Sequence, residues 1–311
     1  MTATRLIKIT LLVLLSIAIT EPASGNNQHQ QFLPMVSVPA PKAGVAFASH
    51  KDGQERVELL GDSVAYWRGW QRGGVAQDKW GLEATQSLWC DFYFHRHHSD
   101  GKLIYQMPTV EKLPKNFSGW LLLLNEPDLS YYGKPPQCAA DPIRAAQIYS
   151  HVRQILPHAK IVAPAATEFD YKNDYEWLGL WWDEVVRITG QPPQVAAWDF
   201  HNYLQGGNPL APYDALESWL NERGVTEPKF FISEWGACSV ERMSEMKAAF
   251  DADERIVRHY IYEQYGATWD GGACIVMFEG DSRTDKIRLT ELGRAFLGLV
   301  PVGEIRRDIA D

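Results

Sequence analysis

Eight short apolar runs, each followed by a longer and more polar segment, recur along this chain, and that alternation limits the possible folds more than any other feature. The runs are AGVAFA (43–48), SVAYWRGW (63–70), SLWCDFY (87–93), GWLLLLNE (119–126), KIVAPAA (160–166), AAWDFHNY (196–203), KFFISEW (229–235) and ACIVMFEG (273–280). Their length and their β-branched and aromatic content predict strands. The later intervals predict helices. DPIRAAQIYSHVRQIL offers Asp141 as a cap and Pro142 at the first helical position, with Ile143, Ala146, Tyr149 and Ile155 on one stripe. NDYEWLGLWWDEVVRITG opens at Asn173 or Asp174 and stops at Gly190. APYDALESWLNERG, SEMKAAFDADERIVRHYIYEQYG and TELGRAFLGLV complete the set, while the first two intervals are less clearly helical.

Strands alternating with helices build a mostly parallel sheet, and eight such units match the count of a (β/α)8 TIM barrel. A doubly wound sheet is the competing arrangement, but no glycine-rich phosphate loop follows the first strand. The expectation is therefore an α/β chain with one (β/α)8 barrel domain over residues 41–311. Ahead of it, Arg5 and Lys8 precede an apolar stretch, Ile9 to Ile19, that is too short to span a bilayer, and Ala23-Ser24-Gly25 offers small residues for cleavage. Residues 1–25 read as a signal peptide and residues 26–40 as a flexible leader, which implies a secreted or periplasmic protein with no membrane attachment after cleavage.

The formal charge of −9, without basic clusters, argues against nucleic acid as a partner and favours a neutral ligand. Cys90, Cys138, Cys238 and Cys274 lack zinc-site spacing. Outside the cytosol they allow up to two disulfides in three full pairings, with buried free thiols as the alternative. Cys90 with Cys138 is the favoured pair, because the third strand and the loop after the fourth should be neighbours. His95, His97 and His98 have no carboxylate or cysteine partners at ligand spacing and read as a solvated loop. Asn116 opens a glycosylation sequon, NFS.

Two runs end in an acid: LLLLNEPD (121–128) and KFFISEWG (229–236). A carboxylate is costly to desolvate, and leucine would pack better at the end of such a strand. Barrel chemistry sits at the C-terminal strand ends, where Glu126 and Glu234 fall on the fourth and seventh strands. One acid there can be a structural acceptor. Two converging acids suit glycoside hydrolysis, in which one protonates the leaving oxygen and the other, ionised, attacks the anomeric carbon.

NEP ending the fourth strand and SEW ending the seventh resemble glycoside hydrolase clan A, the retaining (β/α)8 glycosidases, along essentially the whole chain after the leader. That resemblance implies Glu126 as acid/base, Glu234 as nucleophile and Asn125 as the residue holding the sugar 2-hydroxyl. GVAFA, LLLLNEPD, KIVAPAA, WDFHNY and FFISEWG are most similar to glycoside hydrolase family 128, which cleaves β-1,3-glucan internally. The implied protein is a monomeric retaining endo-β-1,3-glucanase, acting on poly- or oligosaccharide without metal or organic cofactor. An exo-acting or a mannan-, galactan- or xylan-directed clan member, and a carbohydrate-binding barrel without catalysis, stay open. One departure stands out. Many clan members end the eighth strand with a tryptophan platform, whereas this chain reads IVMFEGDS, leaving Phe278 to substitute and Glu279 as a third acid.

His201 and Tyr203 alternate with Phe200 and Asn202, so they share one strand face and reach the cleft together if that face points inward. Arg68 supplies a cation that would lower the pKa of Glu234. Twelve tryptophans are many for one domain, and flat indoles stack on the apolar faces of sugars. Trp67, Trp70, Trp89 and Trp235, at or near strand ends, are the platform candidates. Trp181 and Trp182, mid-helix, are expected to pack against the barrel. Tyr131 and Tyr132 lie in the long loop after the fourth strand and are expected to wall the cleft.

Overall fold

The computed structural model describes residues 41–47, 53–69, 75–88, 96–97, 103–104, 110, 112–134, 140–263, 277–279 and 287–299. These lie in one compact unit, Ala40–Asp311. The expected signal peptide and leader fall outside the described residues, as do Cys90, Cys138 and Cys274; Cys238 is disulfide-bonded.

The architecture is mixed α/β. In chain order it comprises β1 (Ala43–Phe47), α1 (Gly53–Leu60), β2 (Tyr66–Gly69), β3 (Glu83–Ala84), β4 (Gln86–Leu88), β5 (Arg96–His97), β6 (Leu103–Ile104), β7 (Trp120–Leu123), α2 (Pro142–Ile155), β8 (Lys160–Val162), α3 (Glu168–Lys172), α4 (Glu176–Thr189), β9 (Trp198–Asp199), α5 (Ala211–Glu222), β10 (Phe230–Trp235), α6 (Val240–Ala252), β11 (Ile256–Glu263), β12 (Phe278–Glu279), β13 (Arg288–Leu289) and α7 (Glu291–Phe296). Parallel pairing runs β3–β2–β1–β11–β10–β9 in one sheet and β4–β7–β8 in another. Parallel bridges Val162↔Ala197 and Ala166↔Phe200 connect the β8 and β9 regions. Thr85 alone separates β3 from β4, and its N–H donates to the Trp67 carbonyl at 2.9 Å.

Side-chain alternation divides these strands into two apolar clusters. Leu121, Leu123, Ile161, Phe230, Ile232 and Ile261 join the large cluster shared with the helices. Their neighbours Leu122, Val162, Phe231 and Tyr260 join a smaller one with Ala46 and Ala197. A period of two on strands covered on both sides explains why the runs are apolar throughout. The helices cap as their sequences dictate. Asp141 accepts from Arg144 N at 2.8 Å, Ser239 from Arg242 N at 3.2 Å and Thr290 from Gly293 N at 3.2 Å. Gly190, at φ 73°, ends α4.

Several expectations shift. The last parallel strand is β11, not residues 273–280. The helix expected to continue to residue 265 stops at Ala252, because Asp253 and Glu254 turn the chain into the β-forming run Ile256–Tyr262. Residues 278–279 instead pair antiparallel with 288–289. The helix expected from Asn173 or Asp174 is α4, which begins at Glu176 because Asp174 and Tyr175 are left-handed at φ 53° and 57°, and the short α3 precedes it. On α2, Ile143 is exposed, and the buried face is Ala145, Ala146, Ile148, Tyr149 and Val152. Trp181 and Trp182 are buried against Trp198 of β9, as expected. His97 pairs within the β5–β6 ribbon rather than in an open loop.

Close packing around β1 gives a direct test. A Cβ on Gly44 would stand 2.7 Å from Tyr260 Cε1 and 2.9 Å from the Tyr66 carbonyl. Gly44→Ala is expected to destabilise the fold by about 1–3 kcal/mol in urea denaturation, the usual penalty for overpacking.

Candidate active site

Four strands deliver a cluster of polar side chains at their C-terminal ends. β7 is followed by Asn125 and Glu126, β9 by His201 and Tyr203, β10 carries Ser233 and Glu234 in its last pleat, and β2 carries Arg68. All but Tyr203 are at most 6 % exposed. His201 Nδ1 lies 2.7 Å from Glu126 Oε1 and 3.5 Å from Glu234 Oε2. Its Nε2 lies 2.9 Å from Ser233 Oγ, a hydroxyl that can accept or donate and so serves either imidazole tautomer. Tyr203 donates to Glu234 Oε2 at 2.9 Å. Arg68 donates to Asn125 Oδ1 and the Ser233 carbonyl, both at 3.0 Å, and stands 3.3 Å from Glu234 Oε1. One oxygen from each glutamate and one His201 nitrogen all lie within 4.8 Å of one another.

Two backbone irregularities create this convergence. The first is in β10, where the register against β11 shifts between Ile232 and Trp235. Strict alternation would send Ser233 and Glu234 to opposite faces, whereas the shift lets the consecutive pair reach His201 and Arg68 together. The second is at the end of β7, where Leu124 and Glu126 take left-handed φ values of 62° and 48°. A side chain there costs about 1–2 kcal/mol per residue, a strain typical of functional sites.

Alternation also corrects two platform assignments. Trp67 adjoins Arg68, and Trp235 adjoins Glu234, so each indole points away from the cluster. Both are 0 % exposed: Trp67 meets Trp80 edge-on, and Trp235 packs on Phe250, His259 and Phe296. Neither offers a face to a sugar. Trp70 and Trp89 lie outside the described residues. Phe278 is buried, and Glu279 is an exposed partner of Arg288 at 3.0 Å, so neither joins the cluster. Tyr131 and Tyr132 bond Glu176 and Asp170, each on the α3–α4 segment.

Sequence reasoning missed Ser233, because an inward Glu234 implies an outward neighbour unless the register shift brings both to one side. It also missed Asp199, which accepts from Ser233 N at 2.9 Å, and Asp128, whose Oδ2 accepts from Thr167 N at 3.1 Å and Thr167 Oγ1 at 2.5 Å. A signal for Asp128 was present: an acid two residues after Glu126, and just as hard to bury.

Burial dominates the proton affinities. It pushes the Glu234 carboxyl up, against the opposing pull of His201 and Arg68, so the cation acts in the expected direction without prevailing. Burial pushes the His201 imidazolium pKa down and the Tyr203 phenol well up, keeping that phenol a donor. Asp128 rises to about 6 and Asp170 to about 7, again chiefly through burial. Glu126, His201 and Glu234 form the one trio of metal-ligating type among the described residues. Ligands ~2.1 Å from a tetrahedral ion stand ~3.4 Å apart. The 2.7 Å contact between His201 and Glu126 therefore suits a shared proton rather than a shared ion.

Comparison with known proteins follows the same lines. The family model described as glycosyl hydrolase catalytic core matches residues 78–264. No curated protein matches the chain. Among solved structures, a family GH128 subgroup II endo-β-1,3-glucanase from Pseudomonas viridiflava superposes with a TM-score of 0.56 at 20 % identity, covering 83 % of this chain and 98 % of that one. A subgroup VII oligosaccharide-binding protein from Trichoderma gamsii gives 0.56 at 15 % identity, covering 84 % and 94 %. A subgroup I endo-β-1,3-glucanase from Amycolatopsis mediterranei, in complex with laminaritriose, gives 0.54 at 14 % identity, covering 83 % and 99 %. The fold is thus that of family 128 structures, as the sequence words implied.

The buried acids behind the cluster give a pH test. Burial raises the Asp170 carboxyl to about 7, above the ordinary aspartate value of 3.8. Its contribution to stability is therefore complete below about pH 4 and is lost as pH rises through 7. Asp170→Asn should gain melting temperature relative to the parent between pH 4 and 8. A constant offset across that range contradicts the assignment.

Proposed function

The chain belongs to the glycosyl hydrolase catalytic core family, and on that premise we propose that it is a secreted, retaining endo-β-1,3-glucanase built on a closed (β/α)8 barrel. Closure is supported by Thr85, the single residue between a strand paired to β2 and a strand paired to β7. The observation that carries the chemistry is the proximity of Glu126 and Glu234, whose carboxylate oxygens approach within 4.8 Å. Retaining glycosidases hold their two carboxyl groups ~5–5.5 Å apart, whereas inverting ones leave ~6.5–9.5 Å for a water.

In the first step, ionised Glu234 attacks the anomeric carbon as the glycosidic C–O bond breaks, and protonated Glu126 gives its hydrogen to the departing sugar oxygen. In the second, Glu126, now a carboxylate, takes a proton from a water that attacks the same carbon, and Glu234 leaves. Each displacement inverts the centre, so two restore its configuration. Arg68 and the Tyr203 hydroxyl orient Glu234 and favour its charged form. His201 Nδ1 holds Glu126 beside it. The amide of Asn125, its oxygen engaged by Arg68, is placed to recognise the sugar 2-hydroxyl.

The β-1,3 linkage and internal cleavage rest on the sequence words shared with family 128 and on the activities named for the Pseudomonas and Amycolatopsis proteins. The Trichoderma neighbour, an oligosaccharide-binding protein, defines the rival reading of a barrel that binds without cutting. Retention of both glutamates favours turnover. A signal peptide over residues 1–25 and a monomeric state complete the proposal.

A panel of soluble β-glucans, mannan, galactan and xylan, assayed for new reducing ends, tests the activity. Laminarin is expected to be cut to short oligosaccharides. Glu234→Gln should abolish turnover, and Glu126→Gln should slow it by ~10²–10⁴-fold, the range for removing a general acid. Full activity in Glu234→Gln, or binding of laminari-oligosaccharides with no cleavage by the parent, rejects the reading.

A further inference from the structure

Glu126 occupies a strained turn. Its φ is left-handed at 48°, and Pro127 after it has no N–H to donate. The carbonyl of Glu126 accepts a long 3.4 Å bond from Leu129 N. Where this carboxyl points therefore depends on what holds the turn. Asp128 is 0 % exposed, and both of its Oδ2 bonds come from Thr167, the residue leading from the β8 region into α3. Thr167 is itself fixed, since its hydroxyl accepts from Phe169 N at 3.2 Å.

These contacts form a ring. Glu126 Oε1 meets His201 Nδ1 at 2.7 Å, and the His201 backbone N–H donates to the Ala166 carbonyl at 2.9 Å. Ala166 is bonded to Thr167, Thr167 grips Asp128, and Pro127 leads back to Glu126. The acid is therefore held at both ends, by His201 at the carboxyl and by Asp128 through the backbone. Burying Asp128 is otherwise hard to explain. Its Oδ1 is enclosed without a hydrogen-bond partner among the described residues, and Glu126 and Asp170 both lie near enough to oppose its charge. A leucine or asparagine would suit mere packing better.

We infer that Asp128 is the positioning residue for Glu126, locking the left-handed turn onto Thr167 so that the acid meets the leaving-group oxygen. The inference rests on the reading of Glu126 as acid/base, and it predicts a selective defect. With a sugar leaving group, the C–O bond breaks as Glu126 delivers a proton to that oxygen. With a 2,4-dinitrophenyl leaving group, the same bond breaks without a proton, because dinitrophenolate departs as the anion. Only the first reaction depends on where Glu126 points.

The experiment compares kcat/KM of the full-length parent, Asp128→Ala, Asp128→Asn and Thr167→Val on a laminari-oligosaccharide, alongside the release rate of dinitrophenolate from a 2,4-dinitrophenyl β-laminari-oligoside in the first turnover. Asp128→Ala should lose ten- to about a hundredfold on the oligosaccharide, the scale of an ångström-level misplacement. Its dinitrophenolate burst should stay within about threefold of the parent. Asp128→Asn keeps an oxygen for Thr167 and should recover most of the loss. Thr167→Val, which removes one donor, should show the same selectivity to a smaller degree and covers the case in which Asp128→Ala does not fold. Equal losses on both substrates would make Asp128 a general structural residue and overturn the inference, as would unchanged activity on both. A Glu126→Gln control without leaving-group selectivity sinks the acid assignment beneath it, a failure separate from that of the clamp.

Discussion

The imidazole of His201, set between the carboxyls of Glu126 and Glu234, is the contact on which the rest of the site depends. Two acids this close and this buried repel each other whenever both are charged, and desolvation adds to that penalty. The surroundings manage the conflict by treating them differently. Arg68 and Tyr203 address Glu234, favouring its anion, whereas Glu126 meets the neutral face of His201. In the proposed mechanism, such asymmetry around two chemically identical groups lets one acid donate a proton while its neighbour attacks.

Parallel strands supply the frame, but regular geometry would not complete the site. A uniformly alternating β10 would present Ser233, on the face of Phe231, without Glu234, and the cluster would lose one of its two carboxyls. The register shift beside β11 supplies that carboxyl. At β7, left-handed residues turn the chain after the leucines so that Asn125 bridges to Ala165 and Glu126 reaches His201. The apolar runs on either side hold these local distortions, since the same strands are packed on both faces.

The sequence revealed most where a single physical rule acts alone. Period-two apolar runs located seven of the parallel strands, and Asp141 opens α2 and Gly190 closes α4 where the sequence placed them. The pairing of His201 with Tyr203 followed from parity, and both reach the glutamates. Parity applied one residue further would also have turned Trp67 and Trp235 outward, because each sits beside a side chain already assigned inward. Other features needed three dimensions. Ile256–Glu263 carries Arg258 and His259 among its apolar residues and blends into a helical pattern until Asp253 is seen to end α6. The joint arrival of Ser233 and Glu234 depends on a bulge, and the role of Asp128 on a contact 39 residues away, neither of which leaves a local signature.

In the proposed reading, two carboxyls flank one anomeric carbon, too close to admit a water between sugar and nucleophile. Proton NMR of the first hemiacetal released from a β-1,3-linked oligosaccharide, recorded before mutarotation, reads this out directly. The β anomer is predicted. An α anomer as the first product would mean single displacement by water and would contradict the assignment of Glu234 as the attacking group.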